Sequence, residues 1–61
     1  MKSYVAVVGR DSYLFRAREG KVVWASQAVL WAVGRQIDDV RSYFKINGNA
    51  FYEVALSNGS H

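Results

Sequence analysis

The chain has 61 residues, eight basic and five acidic side chains, a formal charge of +3 and no cysteine. A chain of this length forms one domain at most, and such a domain buries only roughly 60% of the surface of its unfolded chain. The single histidine is residue 61, so the side chains that nucleophilic catalysis and metal binding usually need are missing. We therefore expect no enzyme activity, no cofactor, no metal and no small-molecule substrate.

The first 25 residues predict a three-stranded meander. Residues 3–8 suit a strand, "GRDS" supplies turn residues, and "YLFRAR" resumes extended chemistry. "EG" at positions 19–20 offers a second turn, and "KVVWA" continues as a third strand. Within that strand, Trp24 follows two valines and is predicted to lie in the core.

A helix is predicted over residues 27–44, after Ser26 as an N-cap. Gly34 lies inside this helix, where glycine is costly, which suggests a kink or a close backbone approach, or else a tolerated weak position. Apolar residues recur at helical spacing along the segment at Leu30, Val33, Ile37, Val40 and Phe44.

"AFYEVAL" over residues 50–56 returns to strand chemistry, with Tyr52, Val54 and Leu56 on one face. The predicted fold class is thus α+β, in the order βββαβ, with an antiparallel meander sheet and one long helix packed on one face. Residues 1–57 form the domain and 58–61 a polar tail. The alternative is a small all-β barrel in which residues 22–33 form one long bent strand.

"YLFRAREGKVVWASQ" followed by "AVGRQIDDVRSYF" resembles the YegP-like small βββα repeat family over residues 12–44. The resemblance implies a βββα unit that is often duplicated in tandem or self-associates, and it implies no established activity. Glu19 stands where the family has the asparagine of its turn. The residues that carry the resemblance are Tyr13, Phe15, Arg16, Gly20, Ser26, Ile37 and Val40.

"YLFRAREG" at 13–20 is echoed by "YEVALSNG" at 52–59. If the second stretch begins a truncated second unit, its strand can extend its own sheet or pair with the sheet edge of another copy. We therefore predict a homodimer with Tyr52, Val54 and Leu56 at the protein interface. The alternative is coincidence, since any aromatic strand that ends at a glycine turn gives such a match.

A basic pI of about 9.6 favours anionic partners, although the basic residues form no run. Arg16 and Arg18 share one face of the second strand, where Lys21 and Arg10 can join them if the helix covers the other face. This arrangement predicts a nucleic-acid-binding module. The alternative is a solvated face that only keeps the sheet soluble.

Trp31 and Arg35 predict a second type of site, a protein interface on the exposed face of the helix. Packing of Trp31 onto neighbouring residues is the alternative. No apolar run reaches the ~20 residues of a membrane span, so we expect a soluble protein without membrane contact, and cytoplasmic by default.

Overall fold

The computed structural model describes residues 1–54, and the predictions for Leu56 and for the tail lie outside them. The elements run β1 (Lys2–Val8), β2 (Asp11–Arg18), β3 (Lys21–Ala25), a 3₁₀ segment (Gln27–Ala32), α1 (Ile37–Ile46) and β4 (Ala50–Val54). The predicted α+β class and the βββαβ order are confirmed.

The four strands form one antiparallel sheet in the order β3-β2-β1-β4. β4 returns to pair with β1 of its own chain, with Ser3 opposite Val54 and Ala6 opposite Phe51. Between β2 and β3, Glu19 and Gly20 both adopt positive φ, as the tightest hairpin turns require. The last strand was predicted either to extend its own sheet or to pair with the sheet of another copy. In the structure, β4 extends its own sheet.

The core lies between the sheet and the helical side. Phe15 of β2 is fully buried and contacts Phe44 of α1 and Phe51 of β4, with ring centroids 5.8 and 5.7 Å apart. Tyr4 of β1 stacks on Phe51 at 5.8 Å. These aromatic rings supply much of the buried apolar area of a domain this small.

The prediction of one helix over residues 27–44 is wrong. A 3₁₀ segment and α1 are separated at Gly34, whose φ of +91° cannot continue a right-handed helix. Because the first segment has 3₁₀ spacing, it buries Val29 and Ala32, while Leu30 and Val33 of the predicted stripe are exposed. The same observation excludes the all-β barrel, because that alternative needs residues 22–33 to form one long strand and residues 27–32 are helical.

Two smaller predictions around this segment also change. Ser26 makes no capping bond; its hydroxyl oxygen accepts the N–H of Leu14 at 2.9 Å and so prolongs the pairing of β3 with β2. Of the explanations considered for Gly34, the structure shows a break in the helix and no crowded backbone; its N–H donates to the Val22 carbonyl at 2.8 Å, a bond that most residues could make. Its positive φ, rather than a lack of space, is what requires glycine there.

The backbone of residues 34–37 runs along the outer edge of β3. The N–H of Val22 donates to the Arg35 carbonyl at 2.9 Å, and the N–H of Ile37 donates to the Gly20 carbonyl at 2.7 Å. Partners of this kind cover a sheet edge that would otherwise expose unpaired groups. The chain itself therefore covers the first part of the β3 edge, at residues 20–22.

Candidate nucleic-acid interface on the open sheet face

The two faces of the sheet have different surroundings. Alternate residues of each strand point toward the helical side, and the residues between them point away from it. Because directly paired residues of antiparallel strands share a face, the strand register assigns each residue to one face or the other. We call the face away from α1 the open face; it consists of Ser3, Val5, Val7, Ser12, Leu14, Arg16, Arg18, Lys21, Trp24, Ala50, Tyr52 and Val54.

Trp24 belongs to the open face, and its predicted place in the core is wrong. The register of β3 against β2 shifts between Arg16 and Ala17, so that Val22 pairs with Ala17 but Trp24 pairs with Arg16. Val23 is the extra residue of this β-bulge. The shift turns the indole away from the core, and 48% of Trp24 remains exposed.

Arg16 lies beside Trp24 on the open face. Its guanidinium carbon is 5.7 Å from the centre of the indole ring, within the range of a cation–π contact. A guanidinium held against a ring loses fewer rotamers when it binds an anion than a freely moving one. The pair therefore presents a positive charge and an aromatic surface side by side.

The other predicted basic residues divide into two groups. Arg18 pairs with Lys21 next to the turn at Gly20, one alternate position along β2 from Arg16. Arg10 lies in the turn at the opposite end of β2, roughly 25 Å from Arg18 at ~3.3 Å per residue. The fold thus brings Arg16, Arg18 and Lys21 together and leaves Arg10 apart.

Only one carboxylate of the described residues adjoins this cluster. Asp11 and Glu53 pair with Val8 and Tyr4 and so belong to the helix-covered face, while Glu19 lies in the turn between Arg18 and Lys21. The remaining two, Asp38 and Asp39, are in the first turn of α1 on the helical side. Within residues 1–54, the open face has cations but no acidic side chain, which makes it locally basic.

Tyr52 adds a second aromatic ring to the open face. It pairs with Val5 and is 52% exposed, while Val54 pairs with Ser3 and is partly buried. The two residues share a face, as strand alternation predicts. The position of Tyr52 on the same face as the arginines was not predicted, because strand periodicity does not reveal which strands are neighbours.

Trp31 lies on the helical side, 43% exposed, with its ring edge-on to Tyr43 at 5.0 Å between centroids. Arg35 donates from Nε to the backbone carbonyl of Trp31 at 3.2 Å. A shallow groove continues from Trp31 and Tyr43 toward Phe44 and Val8, with Asn47 and Asn49 also in its lining. The two predicted site types are thus on opposite sides of the molecule.

No group of three or more potential metal-ligating side chains occurs in the described part of the chain. No helix within residues 1–54 is long and apolar enough to cross a membrane. No family model, curated protein or solved structure matches the chain. The resemblance to the YegP-like repeats therefore stays a prediction.

Proposed function

We propose that the protein is a small, non-enzymatic binding module whose open face binds nucleic acid. The observation that carries the proposal is the composition of that face: Arg16, Arg18 and Lys21 lie with an exposed Trp24, and none of its strand residues within residues 1–54 is acidic. Glu19, in the adjoining turn, is the one neighbouring carboxylate of the described residues. A solvated face that only keeps a sheet soluble has no need of an exposed tryptophan, nor of charges of one sign.

Binding begins with phosphate contacts. Guanidinium groups fit phosphate oxygens through two parallel hydrogen bonds, and lysine acts as a point charge. Arg16 and Arg18 project from alternate positions of one strand, about 6–7 Å apart along β2. A phosphate backbone crossing the cluster can therefore contact several cations at once.

The test is the salt dependence of oligonucleotide binding, followed by fluorescence anisotropy. Removing one phosphate-binding side chain lowers the slope of log K against log salt by about 0.7 for a single strand and about 0.9 for a duplex. Replacing both Arg16 and Arg18 by alanine is expected to weaken binding strongly and to lower the single-strand slope by about 1.4.

Arg10→Ala is the matched control, because it removes the same charge at the far end of β2. We expect it to leave the slope nearly unchanged. An equal loss of affinity for Arg10→Ala and for each cluster arginine would mean that net charge, rather than the open face, attracts the ligand. No binding at low salt would contradict the proposal outright.

We also propose that the module is a homodimer in which the β4 edges of two copies pair. The outer side of β4 has no strand partner among the described residues, whereas residues 34–37 cover the β3 edge at residues 20–22. Two antiparallel β4 strands are related by a twofold axis perpendicular to the sheet, so both open faces would lie on the same side. Dimerisation would then double the basic surface.

Sedimentation of the wild type and of Val54→Lys tests the dimer. A lysine on an edge strand opposes edge-to-edge pairing, and Val54 is only partly buried, so the fold should tolerate the change. We expect a dimer for the wild type and a monomer for the variant. A monomeric wild type at high protein concentration would remove the dimer and leave the single open face as the site.

The alternative function is a protein-binding module or inhibitor that acts through Trp31 and Arg35. The observation that favours it is the pairing of two exposed aromatic rings, Trp31 and Tyr43, in the shallow groove. Buried aromatic and arginine anchors dominate protein interfaces. Replacing Trp31 by alanine is expected to abolish partner binding in this case and to leave oligonucleotide binding intact.

A further inference from the structure

We infer that the open face takes unpaired nucleotides, whose bases stack on Trp24 and Tyr52, in preference to a duplex. The inference rests on the proposed function and names its substrate class. Two exposed aromatic rings on the same basic sheet face are the observation behind it. Phosphate binding alone would not require an exposed aromatic ring.

The rings stand at opposite borders of the sheet. Trp24 is on β3 and Tyr52 is on β4, with β2 and β1 between them, so three strand spacings of about 4.8 Å separate them. The two rings are also offset along the strand direction. Successive strand pairings place Trp24 opposite Arg16, Ser3 and then Val54, and Tyr52 lies two residues before Val54. The Cα atoms are thus about 16 Å apart, a span that a few nucleotides of a single strand can bridge.

The surface between the rings is suited to a strand that crosses the sheet. Arg16 lies directly next to Trp24, and Leu14 and Val5 form a partly buried apolar row that leads to Tyr52. A single strand laid across this surface places bases against apolar side chains and phosphates near the arginine. Stacking of this kind accepts any base, because every base has an aromatic face.

A duplex cannot use these rings in the same way. Its base faces are covered by neighbouring base pairs, and taking a base out of the stack costs a few kcal/mol. Only the phosphates remain accessible to a sheet surface without a protruding helix or ribbon. Single strands therefore gain the stacking contribution that duplexes lack.

The test compares three labelled probes with equal numbers of phosphates: a single-stranded oligonucleotide, a duplex, and an abasic strand. Trp31→Phe is used as the background, because Trp24 is then the only tryptophan. We expect the single strand to bind at least about fivefold more tightly than the abasic strand. Its binding should also quench the Trp24 fluorescence, and the abasic strand should not.

Substitution of Trp24 gives the second half of the test. Trp24→Ala should weaken single-strand binding by about 5- to 150-fold and leave abasic binding unchanged. Trp24→Phe keeps a ring and should restore most of the affinity, which separates stacking from misfolding. Tyr52→Ala should weaken single-strand binding in the same selective way.

The outcomes separate the inference from the proposed function. Salt-dependent binding of all three probes with equal affinity, unaffected by Trp24→Ala, would overturn the inference and keep the nucleic-acid proposal. Tighter binding of the duplex would also overturn the inference. No binding of any probe at low salt would contradict both.

Discussion

The two faces of the same four strands have opposite compositions. On the helix-covered side, Tyr4, Phe15 and Phe51 pack with Phe44 into a closed aromatic core. On the open side, Arg16 is exposed to solvent and Trp24 is half exposed. The strands supply four aromatic residues to the helix-covered face and two to the open face, so the presence of an aromatic residue in a strand does not by itself show that its ring is structural.

Neighbouring charge and exposure separate a core ring from a ligand-binding ring. Phe15 is fully buried and is surrounded by rings. Trp24 is half exposed, and its nearest described aromatic or cationic partner is a guanidinium. Three sets of substitutions, in order of decreasing effect on stability, test this division and the turns that support it.

Alanine at an aromatic position should have very different effects on the two faces. Phe15→Ala is expected to lower the free energy of unfolding by about 3–5 kcal/mol. Since a domain of this size has a stability of roughly 3–9 kcal/mol, this loss removes a large part of the total. Trp24→Ala should cost only about 1–2 kcal/mol, because about half of the side chain is already exposed and the cation–π contact adds at most about 1 kcal/mol. Urea unfolding followed by circular dichroism measures both; equal losses would make Trp24 a structural residue.

Gly34 tests the break between the two helical segments. Alanine there must adopt a φ of +91°, which strains any residue with a Cβ, and we expect a loss of about 1–2 kcal/mol. Arg35→Ala, one residue on and exposed, is the control and should change the stability by no more than about 0.5 kcal/mol. If Gly34→Ala were stabilising in thermal unfolding, the chain would have a continuous helix after all.

Glu19 should show the smallest effect, and in the opposite direction. Its φ is +53° at the hairpin turn, a conformation that asparagine tolerates better than glutamate. Glu19→Asn is expected to raise the free energy of unfolding by about 0.5–1 kcal/mol. Glu19→Ala removes the same charge without relieving the backbone, so an equal gain from alanine would assign the effect to electrostatics.

Much of the fold was predictable from the sequence because it rests on local signals. Strand alternation and the turn residues at positions 9–10 and 19–20 placed β1 to β3, and the spacing of Ile37, Val40 and Phe44 placed α1. The 3₁₀ segment was missed because Leu30 and Val33 continue the same spacing. The spacing does not reveal the break in the backbone, where Val33 and Gln36 are extended and Gly34 has positive φ.

The sequence predicted the arginines of the candidate site but not its aromatic residues. Alternation put Arg16 and Arg18 on the open face, but the bulge at Val23 reverses the face that alternation assigns to Trp24. Without the extra residue, Trp24 would pair with Phe15 on the core face. Tyr52 lies on the open face because β4 pairs with β1. This pairing is a long-range contact that cannot be predicted from strand periodicity.

The two tryptophans, one on each side of the molecule, can report directly which surface binds nucleic acid. Each indole N–H gives its own signal in a nitrogen–proton correlation spectrum. Titration with a short single-stranded oligonucleotide should shift the Trp24 signal, together with backbone signals of β2 and β3, and leave Trp31 unchanged. A shift of Trp31 with Trp24 unmoved would place the binding surface on the helical side and contradict the assignment to the open face.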